Sequence, residues 1–157
     1  AMNAEMQGPG EMNVSAIKNG TVIDHIESRA TFKVADILRV QQEHDMVLVA
    51  TNLRSGKLGT KGLIKIENRQ LTAQEVNKIA LIAPHATLNI ISEYEVVDKW
   101  PVELPQNIDA IVKCFNPRCI TNQQPVTTHF DVLETSPPTL RCHFCERVMK
   151  GDDIILR

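Results

Sequence analysis

Residues 114–145 read CFNPRCITNQQPVTTHFDVLETSPPTLRCHFC, and this stretch holds all four cysteines of the 157-residue chain. Cys114 and Cys119 form a C-x4-C pair, and Cys142 and Cys145 form a C-x2-C pair, with 22 residues between the two pairs. Two close pairs on two turns can place four thiolates at the corners of a tetrahedron, which is the coordination that Zn²⁺ takes in structural sites. The spacing therefore predicts a zinc site that organises the end of the chain.

Other uses of the four cysteines fit the rest of the chain less well. Two disulfides would need an oxidising compartment that nothing else indicates, and a thioredoxin-like Cys142–Cys145 pair would need a βαβ setting that this strand-rich tail lacks. His129 and His143 could replace a cysteine, but four thiolates already complete a closed shell, so we interpret both histidines as surface or packing residues. Because a closed shell leaves no position for a catalytic water, we expect a structural metal.

The segment around the cysteines is too short for a self-sufficient core, so the metal should supply the missing stability, on the order of 10 to 16 kcal/mol of apparent binding free energy. Four thiolates around one divalent cation carry a formal charge of about −2, which disfavours nucleic acid as a ligand. A module that docks onto another protein fits better. Its candidate contacts are Phe115, Ile120, Phe144 and Met149, and the alternative that these four cover the small core is equally open.

The chain divides near residue 104. Two prolines in the segment KWPVELP at 99–105 remove backbone donors and favour extended geometry. The first residues contain Gly and Pro without apolar periodicity, which is typical of a mobile arm or a cloning remnant. We therefore expect an arm at 1–13, a ligand-binding domain at 14–104 and a zinc domain at 105–157.

Extended and helical segments alternate within 14–104. The pattern predicts a strand at 14–26 with a hairpin or bend at Asn19-Gly20, and then a helix that is capped by Ser28 and ends near Val40. Strands are expected at 46–50 and 63–66, with a loop at 54–62 between them. A second helix should run from the Thr72/Glu75 capping box to Pro84, and extended chain should follow at 86–97. The order β-α-β-β-α-β predicts an α+β fold: a split βαβ antiparallel sheet with two helices on one face, followed by a small all-β zinc-ribbon-like domain. The other sheet face is then free to pair or bind.

Charge and hydropathy exclude several classes of partner. The net charge is −2 and neither half of the chain is basic, whereas a protein that grips duplex nucleic acid needs concentrated positive charge. No apolar run approaches the roughly 18 to 20 residues of a membrane span, and the first residues lack the basic flank and apolar core of a secretory leader. We therefore expect a cytoplasmic chain with neither nucleic acid nor membrane as a partner.

Signatures of catalysis are missing from the sequence, which has no G-x-S-x-G, H-E-x-x-H, P-loop or G-x-G-x-x-G motif. Asp24 and His25 are neighbours on a predicted strand, so their side chains should point to opposite faces and not form an acid–base dyad. Lys65 and Lys99 place two ammonium groups on strands that should be close, where a triphosphate could use them. The alternative, a solvated sheet face with extended lysines, is open from pattern alone.

Several strings in one order carry a resemblance to a known family: AIKNGTVIDHI at 16–26, LIKIEN at 63–68, APHATLN at 83–89, YEVVDK at 94–99 and the cysteine-containing tail. Together they resemble the regulatory chain of aspartate carbamoyltransferase, from about Val14 to the end of the chain. Without that resemblance, two other interpretations would compete: a zinc-ribbon regulator that binds nucleic acid and carries a small-ligand sensor domain, and a stand-alone enzyme that uses Asp24 and His25.

The resemblance implies a non-catalytic chain in a hetero-oligomer of two catalytic trimers and three regulatory dimers. The N-terminal domains would pair two regulatory chains and bind nucleoside triphosphates. The zinc domain would dock onto the catalytic chains, which join carbamoyl phosphate to aspartate in pyrimidine biosynthesis. In the family CTP typically inhibits and ATP typically activates through one site, with UTP, together with Mg²⁺, cooperating in some members.

Residue roles also follow from the resemblance. The backbones of Ile17 and Tyr94 would meet the base edge, Asp24 and Lys65 would lie near ribose and base, and His25 and Lys99 would face the phosphates. The implied pocket lining is Val14, Ala16, Val22, Asn89, Ile91 and Val96. Cys114, Cys119, Cys142 and Cys145 match the zinc ligands, and Asn116 and Glu146 match contacts to the catalytic chain. Phe115 and Arg118 stand where relatives often have Pro and Asn, so this part of the interface should differ in detail.

Overall fold

The first half of the described chain forms one antiparallel sheet. The structure, a computed structural model, describes residues 16–157, so Val14 and the arm predicted at 1–13 lie outside it. The elements are β1 (Gly20–Ile26), α1 (Thr31–Leu38), β2 (Val47–Ser55), β3 (Gly59–Glu67), α2 (Ala73–Ile82), β4 (Thr87–Ser92) and β5 (Glu95–Pro101). The strand order is β2-β3-β1-β4-β5, and every neighbouring pair is antiparallel.

Both helices cover one face of this sheet. Ile23 lies opposite Ile64 on β3 and Leu88 on β4, and all three are almost fully buried. The same core cluster includes Val34 of α1 and Ile79 of α2, each with no exposed surface. Residues on alternate positions of each strand face the opposite side, which neither helix covers. The predicted α+β class and the placement of both helices on one face are confirmed.

The second half of the chain consists of short strands, one α-helical turn and one 3-10 turn. Its elements are β6 (Asn107–Asp109), β7 (Val112–Lys113), α3 (Ile120–Gln123), β8 (His129–Thr135), β9 (Pro138–Cys142), β10 (Val148–Lys150) and β11 (Ile155–Leu156). Strands β10-β9-β8-β6 form one sheet and β11-β7 form a second. Phe130, Leu140 and Met149 are fully buried between them. This agrees with the predicted small β domain, to which α3 and a 3-10 turn at Gly151–Asp153 are added.

Helix α2 touches both halves of the molecule. Leu81 near its end is 5% exposed and belongs to the second hydrophobic cluster, while Ile79 belongs to the first. Lys78 Nζ donates a hydrogen bond to the carbonyl oxygen of Arg157 at 2.9 Å. Leu104, between the two halves, packs against both clusters. The two hydrophobic clusters therefore meet along α2 and Leu104.

The predicted helix caps had different outcomes. For α2, Thr72 Oγ1 accepts from Glu75 N and Glu75 Oε1 accepts from Thr72 N, so the capping box is present. The prediction that Ser28 caps the first helix is wrong, because the chain makes a 3-10 turn at Ser28–Ala30 before α1 begins. The Ser28 hydroxyl instead donates to Thr60 Oγ1 at 2.9 Å.

Two strand boundaries also differ from the prediction. The loop expected at 54–62 is a tight hairpin, because β2 continues to Ser55 and β3 begins at Gly59. Ser55 Oγ accepts from the backbone N–H groups of Lys57 and Leu58 at 3.2 Å, which closes the turn. The strand predicted from residue 14 is described only from Gly20, after a bend at Lys18 and Asn19. Within 16–157, no helix has both the length and the apolar character needed to cross a membrane.

Candidate functional site

The four cysteines converge in the second half of the chain. Their Sγ atoms all lie within 4.8 Å of one another, and the Cys114–Cys145 and Cys119–Cys142 sulfur pairs are each 3.7 Å apart. Metal–sulfur bonds of about 2.3 Å in a tetrahedron separate the sulfur atoms by about 3.8 Å. A disulfide would require about 2.05 Å. The cluster therefore has the dimensions of a tetrahedral metal cage and not those of two disulfides.

The loops that carry the cysteines are held by side-chain hydrogen bonds. Asn122 Nδ2 donates to the carbonyl oxygens of Cys114 and Asn116, both at 2.8 Å. Thr121 Oγ1 donates to Cys119 Sγ at 3.2 Å. These contacts fix the first cysteine loop and the direction of Cys119 Sγ through groups of the protein itself.

The thiols of the cage have different proton affinities. Burial raises the pKa of Cys114 and Cys142, and neighbouring thiols raise it further. Burial also acts on Cys145, but hydrogen bonds from the backbone of Arg147 and the side chain of Asn116 outweigh it and lower its pKa to about 7. Because only thiolates bind metal, an ion must displace protons from Cys114 and Cys142. Metal affinity should therefore increase as the pH rises.

The two histidines near the cysteines lie outside the cage. His129 Nδ1 contacts Asp109 Oδ1, and the His129 ring meets the His143 ring edge to face at a centroid distance of 5.1 Å. Among residues 16–157, the four cysteines alone form a group that could hold a metal ion. Both histidines are thus surface and packing residues, as the sequence analysis interprets them.

A second cluster lies on the face of the first sheet opposite the helices. In the register, Val22 on β1 pairs with Lys65 on β3 and with Asn89 on β4. Asn89 in turn pairs with Lys99 on β5. Directly opposed residues of antiparallel strands project from the same face, so these four form one row across the sheet, which we call the Lys65–Lys99 row. Three strand spacings separate its ends by about 14 Å.

Two further apolar positions extend this face toward the β4–β5 turn. Ile91, two positions after Asn89 on β4, pairs with Val96, three positions before Lys99 on β5. Asn89 is 8% exposed, and its Nδ2 donates to the carbonyl oxygen of Val22 at 3.3 Å. A groove of ≈ 550 Å³ at this end of the sheet contains Ile91, but Ile90 and Arg69 also line it, so it extends to the helix side. The open face therefore combines amide, apolar and ammonium groups.

A β-bulge brings Asp24 and His25 together. His25 has a φ of 56°, and the β1–β3 register shifts between Ile23 and Ile26. His25 Nδ1 lies 4.0 Å from Asp24 Oδ2 and 3.0 Å from Thr87 Oγ1. The prediction that the two side chains point to opposite faces is wrong, because the extra residue of a bulge breaks the alternation of a regular strand.

Lys61 completes this cluster and was not identified from the sequence. Its Nζ lies 2.8 Å from Asp24 Oδ1, and the His25 backbone N–H donates to the same oxygen at 2.6 Å. Burial by itself would raise the pKa of Asp24, but these two donors outweigh it and lower the pKa below its ordinary value. Lys61, Leu63 and Lys65 occupy alternate positions of β3 and so share one face. A predicted strand that began at Gly59 would therefore have placed Lys61 beside Lys65.

The remaining residues of the expected ligand pocket lie in the segment before β1 and in the β4–β5 turn. Ile17 is 3% exposed and Ala16 is exposed. Tyr94 is 66% exposed, and its backbone N–H donates to the carbonyl oxygen of Lys18 at 2.9 Å. The β4–β5 turn is therefore adjacent to the segment that contains Ile17. Val14 lies outside the described residues.

The residues expected at a protein interface divide into two groups. Phe115, Ile120 and Phe144 are about two-fifths exposed around the cage. Met149 is fully buried, so it belongs to the core and is wrong as a docking contact. The remaining two lie on the cysteine loops: Asn116 is half-buried and its Oδ1 accepts from Arg118 N at 3.1 Å, whereas Glu146 is exposed.

Comparison with known proteins identifies both halves of the chain. Residues 12–103 match the family model of the aspartate carbamoyltransferase regulatory chain, allosteric domain. Residues 106–155 match that of the same regulatory chain, metal binding domain. The chain belongs to the aspartate carbamoyltransferase regulatory chain family.

Individual relatives agree with this assignment. The aspartate carbamoyltransferase regulatory chain of Pyrococcus abyssi is 50% identical over 147 residues, which cover 92% of this chain and 97% of the relative. The corresponding chain of Porphyromonas gingivalis is 49% identical over 146 residues, covering 93% and 97%. That of Bacteroides fragilis is 45% identical over 145 residues, covering 92% and 95%.

The resemblance in the sequence is thus confirmed for the family. As a regulatory chain, this polypeptide is a non-catalytic subunit with an allosteric domain and a metal-binding domain. The interpretation as a stand-alone enzyme that uses Asp24 and His25 is therefore replaced by that of a regulatory subunit.

Proposed function

We propose that this chain binds CTP and ATP, and UTP together with Mg²⁺, on the open face of the 14–104 domain and thereby controls the catalytic chains of aspartate carbamoyltransferase. The observation that carries the proposal is the Lys65–Lys99 row, in which two ammonium groups lie at opposite ends of a row that also contains an amide and an apolar side chain. Its span of about 14 Å suits an extended ligand with separate polar parts.

The chemistry of the face supports a division of labour along the nucleotide. Lys99 supplies positive charge for the phosphate oxygens, and His25 supplies a ring N–H donor. Asp24, held ionised by Lys61, is an acceptor for the hydroxyl groups of ribose, and Lys65 lies on the same face. The backbones of Ile17 and Tyr94 read the base edge, so cytosine and adenine can share the ribose and phosphate contacts. Ala16, Val22, Asn89, Ile91 and Val96, with Val14, line the pocket.

The metal proposed for the cage is a structural Zn²⁺ bound by Cys114, Cys119, Cys142 and Cys145. Thiolate ligands in a tetrahedron favour zinc over the oxygen-seeking ions Mg²⁺ and Ca²⁺. Bound Zn²⁺ supplies a cross-link between the two cysteine loops. These loops carry Asn116 and Glu146, and with the exposed Phe115 they form a surface that docks onto the catalytic chain.

The proposed assembly is cytoplasmic and contains regulatory chains paired through their 14–104 domains. Each nucleotide changes activity by binding the two quaternary states of the holoenzyme with unequal affinity, since a ligand of equal affinity shifts no equilibrium. Coupling between two sites is reciprocal. If CTP changes the affinity for a ligand of the catalytic site by some factor, that ligand must therefore change the affinity for CTP by the same factor.

Calorimetric titration of the reconstituted holoenzyme with CTP, in the presence and absence of a bisubstrate analogue, tests the proposal. We expect the two dissociation constants to differ by about 5- to 150-fold, the usual range of allosteric coupling. ATP should show a difference of the opposite sign at the same site and should compete with CTP. Identical CTP affinities in the two titrations, or no CTP binding, would overturn the proposal.

A further inference from the structure

Arg69 joins three segments on the helix side of the first sheet. It follows β3, and its side chain is 20% exposed. Nη1 donates to the carbonyl oxygen of Leu38, where α1 ends, and to Glu43 Oε2, both at 2.6 Å. Nη2 donates to Glu75 Oε2 in the first turn of α2. One guanidinium therefore holds the end of α1, the segment after it and the beginning of α2.

The backbone of Arg69 connects this group to the central strand. Thr21 Oγ1 donates to the Arg69 carbonyl oxygen at 2.6 Å, and Thr21 has no exposed surface. Thr21 is next to Val22 on β1, and Val22 belongs to the Lys65–Lys99 row on the opposite face. We call Arg69 and its partners Thr21, Leu38, Glu43 and Glu75 the Arg69 node. The node is thus attached to the back of the strand whose front carries the ligand-binding row.

The far half of α2 contacts the metal-binding half of the chain. Leu81 is 5% exposed within the second core cluster, and Lys78 Nζ donates to the Arg157 carbonyl oxygen. Glu75, which the node holds, is also the capping-box residue at the other end of the same helix. A ten-residue helix therefore has its first turn fixed by the node and its last turns fixed against the second domain.

We propose that the Arg69 node positions α2 relative to β1 and thereby couples nucleotide binding on the open face to the metal-binding domain. This inference rests on the proposed function, since it names the route by which that site acts on the catalytic chains. A displacement of β1 on nucleotide binding moves Thr21, and the Arg69 carbonyl moves with it. The guanidinium then transmits the change to Glu75 and the start of α2. Thr21 and Arg69 act as positioning residues and contact no ligand.

The sharpest test removes one hydroxyl group. Thr21→Val keeps the shape of the side chain and deletes the hydrogen bond to Arg69, whereas Thr21→Ser keeps the hydroxyl and serves as the matched control. Each variant is assembled into the holoenzyme and titrated with CTP with and without the bisubstrate analogue. Because contact does not by itself establish coupling, the ratio of the two dissociation constants is the quantity of interest.

We expect Thr21→Val to bind CTP without the analogue within about twofold of the wild type and to lose most of the coupling ratio, from about 5- to 150-fold toward one. Thr21→Ser should retain the ratio. A merely structural role would lower the thermal midpoint and leave the ratio unchanged, and that result would overturn the inference. If Thr21→Val does not fold, Arg69→Met removes the guanidinium that joins Glu75 to β1, and an unchanged ratio there would overturn the inference equally. A wild-type ratio of one would instead refute the proposed function.

Discussion

At the level of single residues, the charge of Asp24 depends on a lysine that lies outside the motifs quoted for the family. Lys61 Nζ and the His25 backbone N–H both contact Asp24 Oδ1. A carboxylate with two donors on one oxygen remains ionised although it is only about one-fifth exposed. The acceptor that we assign to ribose is therefore maintained by the bulge at His25 and by the full length of β3.

Replacing Lys61 by Met should raise the pKa of Asp24, because the strongest contact that favours the carboxylate is lost while its burial remains. In the wild type the lowered pKa of Asp24 stabilises the fold at pH values above the ordinary Asp pKa of about 3.9. This stabilisation is lost as the pH falls through the pKa that Asp24 has in the folded protein. NMR titration of the Asp24 carboxyl carbon measures the change. Lys57→Met, on the exposed turn of the same hairpin, is the control. An unchanged Asp24 titration in Lys61→Met would contradict the assignment.

Lys99 should matter equally for all nucleoside triphosphates. It lies at the exposed end of the row, and a contact with phosphate does not depend on the base. We expect Lys99→Ala to weaken CTP and ATP alike, by about 10- to 100-fold, since hydrogen bonds to charged groups contribute about 1.5 to 3 kcal/mol. Calorimetry of both nucleotides measures the effect, with Lys57→Ala as the control. Selective loss of ATP binding would show that Lys99 does not contact phosphate.

Among the helices and strands, sequence signals predicted the boundaries correctly where the hydrogen bonds involved are local. The capping box of Thr72 and Glu75 fixed the start of α2 correctly, because both of its hydrogen bonds are local. Ser28 failed as a cap because its hydroxyl has a partner in Thr60, 32 residues away. The bulge at His25 also depends on a contact between strands that are far apart in sequence, β1 and β3. Periodicity in one segment cannot reveal such contacts.

Gly62 controls how closely α1 approaches β3. A Cβ at this position would lie 1.9 Å from Thr31 Oγ1 and 2.8 Å from Thr31 Cβ, and Thr31 is fully buried. Gly62→Ala should therefore lower the free energy of unfolding by about 1 to 3 kcal/mol through overpacking. Urea unfolding of the metal-loaded protein measures it.

The Gly62 experiment has an internal control and a rescue. Gly56→Ala adds the same methyl group where no atom lies within 4 Å, so it should be nearly neutral. Thr31→Ala removes Oγ1 and Cγ2, two of the three clashing atoms, and leaves only Cβ at 2.8 Å. The double variant Gly62→Ala/Thr31→Ala should therefore be more stable than the sum of the single effects. Strict additivity of the two substitutions would refute direct contact as the cause.

For the whole molecule, the four-cysteine cage was predicted from spacing alone, and the division near residue 104 from the proline-containing segment at 99–105. The cage was predictable because metal geometry restricts the intervals between ligands. A free sheet face was predicted, but not which residues form its row, because Lys65, Val22, Asn89 and Lys99 are far apart in sequence and meet only through the register of four strands. The resemblance to the family named these residues, whereas pattern alone ended at two lysines on strands expected to be close. That expectation is wrong, because β1 and β4 lie between the strands of Lys65 and Lys99.

Removal of the metal should unfold the second domain and release the chain from its catalytic partner. Stripping the holoenzyme with a mercurial replaces the thiolate–metal bonds, and we expect loss of zinc, loss of β structure in residues 105–157 and dissociation on gel filtration. Zinc content, circular dichroism and elution volume measure these effects. A complex that remains intact after complete loss of the metal would contradict a structural role.

Metal binding by the four cysteines should weaken as the pH falls. Because Cys114 and Cys142 have raised pKa values, acid restores their protons and weakens metal binding. Zinc retention against a fixed concentration of chelator should decrease steadily as the pH is lowered below neutrality. Retention that is independent of pH would show that the thiols do not bind the ion as thiolates.

The position of Leu81 limits how this family can be engineered. This residue is encoded before the proline-containing segment at 99–105, yet its side chain is part of the core beneath the cysteine loops. A chimera that joins the first 104 residues of this chain to the tail of a relative would pair Leu81 with a foreign cavity. Successful grafts should therefore transplant the last turn of α2 along with the tail, so that recombination follows the shared core and not the linker.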